Sequence, residues 1–263
     1  MTNQLLIYEN AVPISADTHR DISVRTGANW KFAKTLNSVP IVVAEFEPAC
    51  IEMPIVFAGE GDDIAPVALL GLRAEENLFV SPEGDWIGTY VPAFLRRYPF
   101  VFAATGENGE TLTLCIDEGF EGLNREGRGE RLFDSEGERT RYLENMLQFT
   151  SDYQTQHMLT RSFCARLIEL DLLEPAVATM KLPDGQSHSL TGFRRVNRAK
   201  LAALGADRVA ELFGNDSLAL IYFHLASLGH MGGLVQRLPE QPSQKPVKKG
   251  KKAAKSNATE AET

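Results

Sequence analysis

The sequence predicts an α+β fold, with an antiparallel strand-rich N-terminal half packed against C-terminal helices. Three observations predict it. Short apolar runs of strand length, β-branched or aromatic and bounded by Pro and Gly, fill the first hundred residues. Apolar residues at helical spacing dominate from about Gly137 onward. The two kinds of segment are largely segregated along the chain, which favours α+β over an alternating α/β sheet.

The strand candidates are residues 40–44, 54–58, 65–72 and 77–80. Between the first two, residues 45–52 form a short helix candidate with Pro48 near its start. In residues 90–100 (YVPAFLRRYPF), Val91, Phe94 and Leu95 share a helical face and Pro92 suits a first turn. Pro99 stops that helix, because the residue before a proline avoids the helical region. Residues 100–104 and 111–116 then read as a hairpin closed by the turn Gly106-Glu107-Asn108-Gly109. Five glycines among many charges over residues 119–137 predict a long mobile loop.

A long amphipathic helix follows, carried by Leu143, Met146, Leu147, Tyr153, His157, Cys164, Leu167 and Ile168. It reaches to about Leu173, with a break placed near Ser151-Asp152 and a stop at Pro175. Residues 176–182 and 187–196 flank the turn Pro183-Asp184-Gly185-Gln186 and make a second hairpin. Residues 197–204, 206–213 and 217–228 are helical, with Gly229 after the last.

The chain has 263 residues, 43% hydrophobic and 24% charged, enough apolar material for a substantial core. Residues 1–238 read as one domain and residues 239–263 as a disordered lysine-rich tail. The tail holds six lysines and three glutamates, and its only large aliphatic side chain is Val247. The whole chain has a net charge of −8, so the part before Pro239 carries −11. An acidic body repels a phosphate backbone, and nucleic acid is disfavoured except through the basic tail. No window reaches the roughly 20 apolar residues of a membrane span. The N-terminal stretch lacks a basic cluster followed by an apolar run, so a cytoplasmic location is expected.

No metal and no cofactor is expected. Cys50, Cys115 and Cys164 are scattered and read as small buried hydrophobes. The five histidines show no metal-binding spacing; His157 and His224 fall on apolar helical faces and read as satisfied core histidines. Neither a Gly-rich phosphate loop nor a hydrolase serine elbow is present. Asp117 and Glu118 are neighbours on a strand and point to opposite sides, so they do not form a paired-carboxylate site.

The candidate ligand-binding residues are the two arginine pairs and their surroundings: Tyr90, Arg96, Arg97, Tyr98, Asp117, Arg194 and Arg195. Guanidinium forks bind carboxylates and other anions bidentately, and the tyrosines with Phe193 supply an apolar wall. The competing reading is an internal ion pair, with the hairpin bringing Asp117 to the same end as Arg97. The expected partner is a small anionic molecule or another protein.

Residues 54–57, 90–100 and 114–118 (LCIDE), together with residues 192–201 and the late segment 218–229, resemble the bacterial SapC family. The resemblance runs over about residues 3 to 237. It implies a link to bacterial surface (S-) layers and a gene neighbourhood of flavin-dependent tryptophan halogenases and TonB-dependent receptors. It transfers no catalytic residue. The function expected is that of a SapC-like accessory or binding protein; the alternatives are an enzyme with a pocket near the Arg-Tyr-Pro segment and a surface-array component.

Overall fold

A computed structural model describes residues 7–25, 27, 29–105 and 111–238. The N-terminal half runs β1 (Ala11–Pro13), α1 (Ala16–His19), β2 (Ser23–Val24), β3 (Ser38–Pro40), α2 (Phe46–Ala49), β4 (Ile55–Ala58) and β5 (Ala65–Leu69). Next come α3 (Ala93–Arg96), β6 (Phe100–Thr105), β7 (Thr111–Asp117), β8 (Leu123–Asn124) and β9 (Glu130–Arg131). The rest is α4 (Arg141–Glu169), β10 (Leu173–Lys181), β11 (Ser187–Val196), α5 (Arg198–Ala202), α6 (Ala206–Gly214), α7 (Ser217–Ser227) and α8 (Met231–Gln236).

The strands form three antiparallel sheets, ordered β1-β7-β6, β10-β11-β4-β5-β3 and β8-β2-β9. The fold is therefore α+β, strand-rich first and helical later. Both predicted hairpins form. The β10–β11 turn has Gly185 in the left-handed region at φ 83°, where Gly carries no steric penalty. The residues of the β6–β7 turn and the lysine-rich tail lie outside the described residues.

Several boundaries differ from expectation for identifiable reasons. Residues 77–80 are not a strand; Val80 makes one isolated bridge to Trp86. The run at 40–44 begins as β3 but turns after Pro40 into a 3-10 turn over Val43–Glu45, leading directly into α2. The glycine-rich stretch at 119–137 contributes β8 and β9, which clamp β2 from both sides. Cys115 and Cys164 are buried, whereas Cys50 is only half-buried and donates its thiol to the Glu47 carbonyl at 3.2 Å. Gly229 does not stop the last helix, since a 3-10 turn over Leu228–His230 carries the chain straight into α8.

α4 is unbroken at Ser151-Asp152. Both residues face solvent, and Gln148 donates to Asp152 at 2.8 Å one turn along. Thr150 and Thr160 donate their hydroxyls to the carbonyls of Met146 and Gln156, four residues back, a sharing of the helical carbonyls that the helix tolerates without breaking. Thr140 caps the start by accepting from the Leu143 amide at 3.3 Å. The helix ends at Glu169, not at Pro175. Asp171 adopts φ 52°, and Pro175 sits within β10, where an edge strand tolerates its missing N–H.

α4 has 29 residues, about 43 Å at the helical rise, and organises three packing regions along its length. Its first turn places Leu143 in a core with Phe100, Ile116, Leu132, Phe133 and Val24. Its middle packs Tyr153 and Phe149 against Val42 and Ala93. Its last turns bury Phe163, Cys164 and Leu167 in the main core over the five-stranded sheet. α3 lies beside the middle region, and the candidate site is built there.

Candidate functional site

α3 is a single turn, with Phe94 and Leu95 fully buried. Anchoring those two forces Arg96 and Arg97 to diverge. Arg96 is exposed, and together with Tyr98 it lines a cleft of about 290 Å³. The walls are Trp30, Phe32, Phe120 and Tyr142, and Arg25 adds a second guanidinium. Phe32 lies 4.5 Å from Tyr98, centroid to centroid, and Phe120 packs edge-on against Tyr98 at 5.2 Å. The Arg96 guanidinium sits 5.7 Å from the Tyr90 ring centre and 5.1 Å from that of Phe149. Its Nε donates to the Val91 carbonyl at 3.0 Å, which fixes the fork without using all its donors.

Arg97 takes the inward path and is 1% exposed. Its guanidinium lies over Tyr153 at 4.5 Å, Phe94 at 4.9 Å and Tyr8 at 5.8 Å. Asp117, at the end of β7, is buried close by. One of its oxygens accepts from the amides of Asn10 at 2.8 Å and Gly119 at 3.1 Å; the other accepts from the Glu9 amide at 3.0 Å and the Tyr98 hydroxyl at 3.2 Å. Both charges act on the Tyr8 phenol, which donates to the Phe100 carbonyl at 2.7 Å. Burial pushes the Tyr8 and Tyr98 phenols up, and the Asp117 charge adds to the shift at Tyr98. Tyr98 therefore faces the cleft as a neutral phenol. Burial likewise pushes Tyr153 up to about 12.

Tyr90 leads to a carboxylate that sequence reasoning missed. Glu45 is 3% exposed and accepts from the Ala93 amide at 2.6 Å, the Tyr90 hydroxyl at 2.8 Å and the Val42 amide at 2.9 Å. Burial raises its pKa, and these donors oppose the shift. Arg96 reaches the Tyr90 hydroxyl at 3.4 Å, so Arg96, Tyr90 and Glu45 form one chain. Nothing in the local pattern EFEP marks Glu45, because its partners lie up to 48 residues away.

Arg194 and Arg195 are not brought to this site. They lie on β11, in the five-stranded sheet; Arg194 stands opposite Phe57, and Arg195 donates to Glu174 on β10 at 2.9 Å. Neither lines the cleft beside α3.

His224 and Ser227 join α7 to the sheet. The His224 Nε2 accepts from the Val196 amide at 3.0 Å, so Nδ1 carries the proton and donates to the Ile55 carbonyl at 2.9 Å. Ser227 accepts from the Ile55 amide at 2.9 Å and donates to the His224 carbonyl. His224 is thus a satisfied core histidine, its pKa lowered by burial to about 4. His157 is not: its ring is half-buried near Arg161 and Arg97, and its buried Nδ1 has no hydrogen-bond partner among the described residues.

The fold and cleft define an α+β protein with an aromatic-walled, arginine-bearing surface cleft. A model of the SapC family matches residues 14–234, and the chain belongs to that family. No curated protein and no solved structure matches it.

Proposed function

We propose that this SapC-family protein is a binding or accessory protein that takes a small anionic molecule with a flat apolar part in the cleft beside α3. One observation carries the reading: Arg25 and Arg96 meet in a cleft of about 290 Å³ walled by Trp30, Phe32, Phe120 and Tyr142. A guanidinium fork recognises a carboxylate or phosphate bidentately, and the rings stack on a planar body. The Tyr98 hydroxyl already donates to Asp117, so Tyr98 contributes its ring face rather than a free donor.

Binding is favoured over catalysis because the nearby carboxylates are occupied. Asp117 accepts four hydrogen bonds and Glu45 three, and neither lines the cleft. A general base needs a free lone pair within reach of its substrate proton.

The test is a thermal-shift and calorimetric screen with benzoate- and naphthoate-type carboxylates and aryl phosphates. A true ligand at a hundredfold excess over its Kd adds about 2.7 kcal/mol of stability. Arg96→Ala and Arg25→Ala each remove that gain. If no compound in the panel binds, or if Arg96→Ala binds unchanged, the cleft is not the site. Turnover of a bound compound would transfer the protein to the enzyme class.

A further inference from the structure

The hairpin β6–β7 carries an apolar strip that outruns the core it faces. Side chains two apart on a strand share a face, so the cross-strand pairs Phe100–Ile116, Phe102–Leu114 and Ala104–Leu112 stand in a row on one side. The first pair is fully buried, the second is half-buried, and Leu112 at the far end is 48% exposed. The core that covers the first pair is small, with six of the described residues buried in it, Leu132, Phe133 and Leu143 among them. Beyond it, between the hairpin and the start of α4, lies a groove of about 320 Å³ walled by Phe102, Leu112, Leu114, Leu143 and Leu147. Small-molecule sites are built from cavities of this size that are largely apolar and carry few polar groups.

The groove is separate from the cleft beside α3. Leu143 and Leu147, one helical turn apart on α4, line the groove, whereas their neighbours Tyr142 and Met146 line the cleft. Its chemistry also differs. Leucines from both the hairpin and α4 give a wall that adapts to a flexible chain, where the cleft offers rings for a planar body. Arg139 supplies the groove's cation, and no Asp or Glu is among the described residues that line it. Arg139 is exposed, and its guanidinium has no ion pair or hydrogen bond with any described residue, so the whole fork is open to an anion.

These two features select the occupant. A peptide laid in the groove would bury amides against leucines, where backbone groups without partners are costly. An alkyl chain brings polar atoms only at its end, and a carboxylate there has Arg139 to pair with. We propose that this groove is a second ligand site, which takes a medium-length fatty acid with its unbranched chain against the leucines and its carboxylate on Arg139.

Calorimetric titration of the full chain with saturated carboxylates from hexanoate to tetradecanoate, each below its micelle-forming concentration, tests this. Each added methylene that enters the groove is expected to tighten binding by roughly threefold to fourfold, and the gain stops once the groove is full. Arg139→Gln is expected to weaken decanoate about tenfold and to bring it to the affinity of decanol, which the substitution leaves unchanged. Leu112→Gln weakens acid and alcohol alike, by roughly threefold or more. Both replaced residues are exposed, so the two variants keep the parent's melting temperature. An excess of naphthoate leaves decanoate binding as it was, because the aromatic cleft is a different place. Absence of saturable binding at every length, an affinity independent of length, or decanoate bound by either variant as by the parent overturns the proposal. Displacement of decanoate by naphthoate also overturns it and moves the chain to the cleft beside α3.

Discussion

On one side of α3, Arg97 is buried at 1% exposure among the rings of Tyr8, Phe94 and Tyr153; on the other, its neighbour Arg96 lies exposed at the cleft wall. The two have the same chemistry and adjacent positions, and they differ in what surrounds them. The inner environment places the guanidinium over three rings, away from solvent. The outer environment leaves the fork half-used: one donor goes to the Val91 carbonyl and one reaches Tyr90. A buried cation is a structural commitment, whereas a partly satisfied one beside aromatic walls is available for recognition.

The largest expected effect is on the inner side. Arg97→Ala removes a desolvated cation from three rings and leaves a cavity, at a cost of about 3–5 kcal/mol. In a chain of this size that lowers the melting temperature by roughly 6 °C or more. A melt that shows Arg97→Ala as stable as the parent removes the distinction between the two arginines.

The second expected effect concerns the main core and is read in pH. His224 titrates at about 4 in the fold, against an ordinary value of 6.5. The native state therefore binds fewer protons than the unfolded state between those values, and stability falls as pH drops from 6.5 toward 4. The loss is on the order of 3 kcal/mol at the acid end. Glu45, with its pKa raised, works in the opposite sense over its own range. Comparing the parent with His224→Gln cancels the Glu45 contribution: the variant starts less stable and shows a shallower acid slope. Equal slopes would mean that burial does not hold His224 neutral.

The third is Glu45→Gln. One new N–H must face the Val42 amide, or else the Tyr90 hydroxyl and Ala93 amide, all of which donate to the present carboxylate. Leaving such a donor unsatisfied costs about 1–3 kcal/mol. If the amide nitrogen turns to the Oε1 side, it also frees the Tyr90 hydroxyl beside Arg96; chemical denaturation should show the loss in either orientation, and ligand titration a shifted affinity in that one. A neutral outcome in both would detach Glu45 from the cleft.

What the sequence disclosed follows physical range. The two hairpins were legible because turn residues and alternating apolar runs are local. The segment Tyr90 to Pro99 was legible as a helical turn for the same reason. Ser151-Asp152 misled, because polar residues weaken a helix only when they compete with its backbone, and here they point to solvent. Pro175 misled, because a proline that can end a helix can equally sit on a sheet edge. Arg96 and Tyr98 were singled out from their arginine–aromatic context, and both line the cleft beside α3. Glu45, Tyr8 and Arg25 were not, since each gains its meaning from partners distant in the chain. The grouping of Arg194 and Arg195 with Arg96 and Arg97 rested on composition alone, and chain topology separates them.

The smallest effect on stability is expected at Arg96, and it tests the outer half of the comparison. Arg96 is exposed, its contacts with Tyr90 and Phe149 are open to solvent, and its two hydrogen bonds are replaceable by water. Exposed cation–ring contacts contribute about 0.5–1 kcal/mol. Arg96→Ala should therefore move the melting temperature by no more than about 2–3 °C. Arg96→Lys keeps the charge and loses the planar fork. If the cleft recognises an anion bidentately, the lysine variant should bind a carboxylate ligand at least about tenfold more weakly than the parent while melting alongside it. If charge alone attracts the ligand, lysine should restore binding and raised salt should abolish it in both proteins. A large destabilisation by Arg96→Ala would instead show that the Arg96–Tyr90–Glu45 chain is part of the scaffold, and the outer arginine would then differ from Arg97 in exposure but not in role.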